Sequence, residues 1–253
     1  MFQLERRNLI VKYLEENERV TVEELAQKLD VTPMTIRRDL QYLENNNMVK
    51  RTFGGAILKS RLDEEISYKD KSISHKDEKK RIAEYAVSII ENGQIVLLDS
   101  GTTNMEIAKK LKDKKDLTII TPDVLIAGYL AQTSDFRLLC TGGYVQNTTG
   151  ACIGSRAAEF LRDINVDISF IGASSIDVEK GISTPTFEKA EIKRQMIKSS
   201  KKNVLVTDSS KFGRVSFAKF CDLNAFDIII TDTNIDKRLL ERLKAIEVTV
   251  KLV

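Results

Sequence analysis

No apolar run in the sequence approaches the length of a membrane span, and the first residues, Met1-Phe2-Gln3-Leu4-Glu5-Arg6-Arg7, lack the apolar stretch of a signal peptide. These absences predict a cytoplasmic protein with no membrane partner. Cysteine is sparse: Cys140, Cys152 and Cys221 lie far apart, and no two form a CxxC pair. An odd number at such spacing speaks against a disulfide scaffold or a structural zinc site. All three are expected as small buried apolar residues, and no metal or other cofactor is expected. Histidine is scarcer still. His75 is the one histidine; it falls in a polar stretch and is expected at the surface, which leaves no evident acid/base pair for catalysis. The excess of positive charge is small: 40 Lys and Arg against 37 Asp and Glu give +3 overall. That balance permits nucleic-acid binding, but the case for it has to come from local placement. Internal repeats and low-complexity segments are missing too.

With 253 residues, 42% hydrophobic and 30% charged, the chain is long enough for two unequal globular domains. Residues 1–58 read as short amphipathic helices and a small β unit. Residues 59–75 are polar with scattered apolar positions and no sustained period, the pattern of an exposed linker. Across 76–253, helical patterns alternate with short β-branched runs at 95–98, 117–120, 137–140, 168–171, 204–206, 228–231 and 248–250. Most of these runs are almost wholly apolar, which suits strands buried on both faces of a parallel sheet. Helical candidates at 81–91, 104–111, 153–162, 187–199 and 235–244 separate them. The expected fold class is α/β, with a mostly parallel, doubly wound sheet behind a smaller N-terminal domain.

In the N-terminal part, a helix over about 4–16 has an apolar stripe of Leu9, Ile10, Tyr13 and Leu14. Thr21 is placed to cap a second helix, with Glu24 completing a capping box and Val20 and Leu25 in staple positions. After the turn Leu29-Asp30-Val31, Thr32 caps a third helix with Pro33 at its first position. Two capped helices around so short a turn make a helix-turn-helix pattern. At about 100° per residue, Ile36, Leu40 and Leu43 share the inner arc of the third helix. Met34, Arg38, Gln41 and Tyr42 then face outward, and Thr35 and Arg37 lie on the flanks. Arginine and glutamine near a helix N-terminus suit guanine and adenine edges or phosphates. Two β-prone pieces follow, flanking Lys50 and Arg51, and read as a wing. The candidate contacts to double-stranded DNA are therefore Thr21, Thr32, Met34, Thr35, Arg37, Arg38, Gln41, Tyr42, Lys50 and Arg51.

The stretch Val31-Thr32-Pro33-Met34-Thr35-Ile36-Arg37-Arg38-Asp39-Leu40, with Glu23-Glu24-Leu25-Ala26 before it and Arg51-Thr52-Phe53-Gly54-Gly55-Ala56 after it, resembles the DeoR-type winged-helix regulators. Many members have His where this chain has Phe53. The resemblance implies a sequence-specific transcriptional regulator, expected as a repressor of a sugar catabolism operon.

Four loops follow strand-like runs in the larger part: Asp99-Ser100-Gly101-Thr102-Thr103, Thr141-Gly142-Gly143, Gly172-Ala173-Ser174-Ser175, and Asp208-Ser209-Ser210-Lys211-Phe212-Gly213. In an open parallel sheet, ligands bind at the carboxyl ends of strands. Hydroxyls, glycines and a lysine at one such edge suit a phosphate. The candidate effector residues are Asp99, Ser100, Gly101, Thr102, Thr103, Thr141, Gly142, Gly143, Gly172 and Lys211. From about residue 76 to the end the chain also resembles the DeoR effector domain. This implies a fold related to ribose-phosphate isomerase, and a phosphorylated sugar or sugar alcohol as ligand that releases the protein from its operator. Many members carry Asp-Gly where this chain has Ser174-Ser175. Glu188, Glu191, Lys193 and Arg194 are expected as solvated helix charges. An alternative, a sugar-phosphate isomerase or deaminase with an accessory DNA-binding domain, would need a positioned acid/base pair that the sequence does not display, so the protein is expected not to be an enzyme. Two operator half-sites on one face of DNA would need a symmetric homo-oligomer.

Overall fold

The computed structural model describes residues 3–17, 19–45, 48–52, 54–58, 67–246 and 248–253. The chain divides into two compact units, Met1–Asp63 and Glu64–Val253.

The first unit runs α1 (Gln3–Asn17), β1 (Arg19–Thr21), α2 (Val22–Lys28), α3 (Pro33–Asn45), β2 (Val49–Thr52) and β3 (Gly55–Leu58). Its strands form an antiparallel sheet in the order β1-β3-β2. The expected wing is the β2–β3 hairpin, and β1 is added to it. Gly55 permits that pairing: a Cβ there would collide with the Val20 carbonyl oxygen and come within 2.9 Å of the Thr21 Cα. Ile10 and Leu14 of α1, Leu25 of α2, Ile36, Leu40 and Leu43 of α3, and Val49 and Ala56 of the sheet fill one small core.

The second unit begins with α4 (Tyr68–Ile73) and α5 (Lys76–Ser88). Then come β4 (Ile95–Leu98), α6 (Thr102–Lys110), β5 (Thr118–Thr121), α7 (Val124–Thr133) and β6 (Arg137–Cys140). A hairpin of β7 (Tyr144–Gln146) and β8 (Ala151–Ile153) leads to α8 (Ser155–Arg162) and β9 (Val166–Ile171). Two short strands, β10 (Ser175–Asp177) and β11 (Gly181–Thr184), precede α9 (Phe187–Ser199) and β12 (Ser200–Val206). The chain ends with β13 (Ala218–Cys221), β14 (Ile228–Thr231), α10 (Lys237–Lys244) and β15 (Thr249–Leu252).

Seven of these strands form one sheet in the order β15-β14-β12-β9-β4-β5-β6, and every pairing in it is parallel. These are the seven apolar runs of the sequence. The strands alternate between two cores. Val96 and Leu98 point into one with α5, α6 and α7, while Leu97 points into the other with α8 and α9. Helices on both faces make the sheet doubly wound. The chain lays β5 and β6 on one side of β4, then returns to lay β9, β12, β14 and β15 on the other. The order therefore reverses between β4 and β9, the switch point where such sheets open a crevice.

Helix α7, the β7–β8 hairpin and the small antiparallel sheet β10-β11-β13 were not evident in the sequence. Part of the expected linker, residues 59–66, lies outside the described residues. The rest departs from expectation: Tyr68–Ile73 is helical. The Ser67 hydroxyl accepts the Asp70 N–H at 3.2 Å, Tyr68 packs against the second unit's core, and the Tyr68 N–H donates to the Thr148 carbonyl at 2.9 Å.

Candidate functional site

The outward face of α3 is as the helical period predicts. Ile36, Leu40 and Leu43 are buried, Thr35 is half-buried, and Met34, Arg37, Arg38, Gln41 and Tyr42 are exposed. The Thr32 hydroxyl accepts the Thr35 N–H at 3.2 Å and meets the Thr35 hydroxyl at 3.0 Å. Thr21 caps α2: its hydroxyl accepts the Glu24 N–H at 3.1 Å, and the Glu24 carboxylate accepts the Thr21 N–H at 2.8 Å. That backbone hydrogen bond from Thr21 is the main reason the Glu24 carboxyl sits below its ordinary value.

Arg38 is exposed with no ion pair or hydrogen bond among the described residues, while Arg37 stands 3.9 Å from Glu23, which is exposed too. Arg51 is engaged: its guanidinium donates to the Gln41 amide oxygen at 2.5 Å, and its N–H donates to Glu44 at 3.0 Å. The wing is thus tied to α3 through two of the candidate contacts. The side chain of Lys50, and Phe53, lie outside the described residues.

Asp39 is the residue of α3 that the sequence reading passed over. It is buried, 2.6 Å from Arg6 Nε and 2.9 Å from Arg7 Nε. The Arg7 guanidinium also lies 3.5 Å from the centre of the Tyr42 ring, so that ring is partly engaged from within. Position 39 lies three residues after Ile36 and four before Leu43, on the buried arc. A carboxylate there calls for a cationic partner, and that was the available signal.

In the second unit all four predicted loops lie at the carboxyl edge of the parallel sheet, after β4, β6, β9 and β12. The structure brings some of them into direct contact. Asp99 is buried at the end of β4, and its carboxylate accepts the Gly172 N–H across the switch point at 2.9 Å and the Ser100 N–H at 2.8 Å. Thr141, Gly142 and Gly143 follow the edge strand β6, with β5 between them and β4. The Thr141 N–H donates to the Thr121 carbonyl at 3.2 Å. Gly143 is held at φ 103, where a Cβ would lie 2.7 Å from the Ile153 carbonyl oxygen.

Asp99 belongs to a set. Asp123, Asp208 and Asp232 follow β5, β12 and β14, and all are buried. Asp123 accepts N–H groups from Gly101 at 3.1 Å, Leu125 at 2.8 Å and Ile126 at 3.1 Å. Asp232 accepts those of Ser209 at 2.7 Å and Asn234 at 2.9 Å. Asp208 accepts that of Ser210 at 3.1 Å. Carboxylates thus lace neighbouring loops together along the edge. Burial pushes Asp123 up to about 6 against the pull of its three N–H donors. Asp123 and Asp232 were not among the predicted residues, although they stand three positions and one position beyond a β-branched run.

Cations answer these carboxylates from inside the fold. Lys193 was expected to be solvated, but it is buried and pairs with Asp99 while donating to the Gly172 carbonyl at 2.8 Å. The cause is tertiary: α9 packs on the sheet with this side chain turned to the switch point. Lys189, also buried, donates to the Thr149 hydroxyl at 3.3 Å. Lys211 lies 3.9 Å from Asp208, and desolvation lowers its ammonium below the ordinary lysine value. Lys79 is buried and donates to the carbonyls of Lys71 and Ser74, closing the end of α4. Burial drops it to about 8, with Asp208 opposing and Lys211 and Lys71 reinforcing the drop. The Thr102 hydroxyl reaches the same Lys71 carbonyl at 3.5 Å. Lys71, Lys79 and Lys211 therefore gather their charge beside the start of α6. The Asn104 amide oxygen, buried in the first turn of α6, has no hydrogen-bond partner among the described residues.

His75 is exposed, as expected. Cys152 is buried, but Cys221 is half-buried and Cys140 exposed, which corrects the expectation of three buried cysteines; Cys140 is the larger departure. It ends an edge strand, which has a neighbour on one side only. Among the described residues no group of three or more His, Cys, Asp or Glu could hold a metal ion, and no helix is long and apolar enough to cross a membrane.

Comparison with known proteins covers both units. The DeoR-like helix-turn-helix domain matches residues 6–61, and the DeoR C terminal sensor domain matches residues 74–233. An uncharacterized HTH-type transcriptional regulator of Haemophilus influenzae is 37% identical over 253 residues, covering 100% of this chain and 98% of that protein. The glycerol-3-phosphate regulon repressor of Escherichia coli is 32% identical over 232 residues, covering 92% of each. Among solved structures, a ribose 5-phosphate isomerase A from Methanocaldococcus jannaschii is similar at 17% identity and a TM-score of 0.41, over 55% of each chain.

Proposed function

The chain belongs to the DeoR family of helix-turn-helix transcriptional regulators, and from that premise we propose that it represses a sugar catabolism operon and is released by a phosphorylated sugar or sugar alcohol. Residues 1–58 are the DNA-binding domain, 59–75 the connection, and 76–253 the effector and oligomerisation domain. Helix α3 enters the major groove with Arg38 and Arg37 toward base edges or phosphates. Thr35, Met34 and Thr32 stand at its leading end, and Lys50 and Arg51 lie on the wing. A homo-oligomer presents two such helices to two half-sites.

The observation that carries the effector reading is the gathering of Lys71, Lys79 and Lys211 beside Thr102 at the carboxyl edge of the sheet. A phosphate dianion leaves water only for several donors and a cation. The hydroxyls of Ser100, Thr102 and Thr103, the N–H groups at the start of α6, and Lys211 offer them. The remainder of the ligand extends toward Asp99, Asn104 and Gly172 at the switch point. Lys79 and Thr102 both hold the end of α4, the helix within the connection, so a phosphate there alters the anchoring of the segment that leads to the DNA-binding domain. The relative in Escherichia coli is named for glycerol 3-phosphate, a ligand of this chemical class. Sensing without turnover is the role proposed, with Asp99 committed to Lys193 and Gly172.

The test is a thermal-shift panel of phosphorylated sugars and sugar alcohols against their unphosphorylated counterparts. A true ligand stabilises by about 2.7 kcal/mol at a hundredfold excess over its dissociation constant. Lys211→Ala should lose that shift while still binding operator DNA in a gel-shift titration. If no phosphorylated compound shifts the wild type, or if Lys211→Ala responds like wild type, the site is wrong.

A further inference from the structure

The three cysteines are not equivalent. Cys140 ends β6 at the border of the large sheet, and Cys152 is the middle residue of β8 in the adjoining hairpin. Their sulfurs lie 3.8 Å apart; Cys140 is an exposed residue and Cys152 a buried one. Both are anchored on the same turn: the N–H of Thr141, next to Cys140, donates to the Thr121 carbonyl at 3.2 Å, and the Cys152 N–H donates to the Pro122 carbonyl at 2.6 Å. Cys221 sits on β13, in a different sheet.

We propose that Cys140 and Cys152 form a reversible intramolecular disulfide when a hydroperoxide oxidises the protein, and that this bond clamps residues 141–151. A disulfide needs its sulfurs about 2.05 Å apart. Closing from 3.8 Å asks for side-chain rotation and a small shift of β6, which has only β5 to hold it. Cys140 meets the oxidant first, because it is the exposed residue of the pair. Its thiolate attacks the peroxide oxygen, the O–O bond breaks, and an alkoxide or hydroxide leaves with Cys140 as the sulfenic acid. The Cys152 sulfur then displaces the hydroxyl from that sulfur as water, losing its own proton. In sum, two thiols and one hydroperoxide give one disulfide, one water and one alcohol (or a second water), a balanced two-electron oxidation. Burial pushes Cys152 up to about 12, with Cys140 adding to the rise. Cys152 therefore stays protonated until Cys140 is activated, and serves as the resolving partner.

The clamp closes around Thr141, Gly142 and Gly143. It also touches the turn that carries Asp123, whose carboxylate holds the Gly101 N–H. A consequence for the effector loop rests on the site proposed above; the disulfide itself does not, and it is read without any ligand.

The experiment treats the full-length protein with hydrogen peroxide, denatures it, alkylates free thiols and maps the peptides by mass. The expected result is a linked Cys140–Cys152 peptide, alkylation confined to Cys221, and full recovery of three alkylated cysteines after dithiothreitol. Cys221→Ser should leave the linkage unchanged. Cys140→Ser alters an exposed position and should leave Cys152 alkylated after the same treatment. Amide exchange over 141–151 should slow at least severalfold in the oxidised form. Three alkylated cysteines after peroxide, Cys140 driven to the sulfinic acid with Cys152 still alkylated, or unchanged exchange in a linked protein would overturn the proposal.

Discussion

In the N-terminal unit the buried pairing of Arg6 and Arg7 with Asp39 ties α1 to the inner side of α3. In the C-terminal unit the buried pairing of Lys193 with Asp99 sits at the open edge of the sheet, where the strand order reverses. The first pair holds a surface in place: it orients a helix whose other side carries Arg37 and Arg38 into solvent. The second belongs to the surface itself, among Gly172, Asn104 and the start of α6. A small domain with one modest core can present charge only outward. A doubly wound sheet has a crevice that lets it present charge inward, where desolvation strengthens every contact with a ligand.

The contrast is tested hardest at Asp39. Replacing it by Ala leaves Arg6 buried without its carboxylate, at a cost of about 3–5 kcal/mol. The core of the first unit is small, so this unit should unfold alone. Calorimetry should lose one transition and keep the melting of the second unit, and operator binding should vanish. Intact DNA binding by Asp39→Ala would mean that the pair does not hold α3.

The next effect in size belongs to Asp123. Unfolded, it ionises near pH 4; folded, burial holds it protonated up to about 6. Between those values the native state carries the extra proton, so stability is greatest below the window and falls as pH rises through it. The loss is about 2–3 kcal/mol and is complete above pH 6. Asp123→Asn keeps a side-chain oxygen for the Leu125 and Ile126 N–H groups and removes the titration. Urea unfolding of both proteins from pH 4 to 7 should show a flatter profile in the variant, and parallel profiles would refute the assignment.

Arg38→Ala concerns the surface rather than its support. It should weaken operator binding by about 1–3 kcal/mol with no change in either melting transition. A loss shared equally by operator and scrambled DNA would assign Arg38 to phosphate rather than to a base. The smallest effect is expected at Thr21: its capping-box hydroxyl is spent on Glu24, so Thr21→Ala should destabilise the first unit by about 1 kcal/mol. Its operator affinity, measured where both proteins are fully folded, should stay within about twofold. A larger drop would mean that Thr21 contacts DNA as well as capping α2.

What the sequence by itself determined follows from short periods. The 3.6-residue spacing of Ile36, Leu40 and Leu43 fixed the inner face of α3 and so exposed Arg37, Arg38 and Gln41. The capping residues Thr21 and Thr32 marked where α2 and α3 start. Seven apolar β-branched runs fixed the strands of a sheet buried on both faces, and so the edge on which the loops Asp99–Thr103 and Asp208–Gly213 emerge. Only the tertiary structure decided how positions on different elements meet: Asp39 with Arg6, Lys193 with Asp99, Lys79 with the end of α4, and Cys140 with Cys152. A buried charge carries no periodic trace of its partner, because the favourable geometry lies across elements rather than along one. Lys193 reads as a solvated helix charge until α9 is packed on the sheet, and the switch point that gives it a role does not exist until β9 returns to lie beside β4.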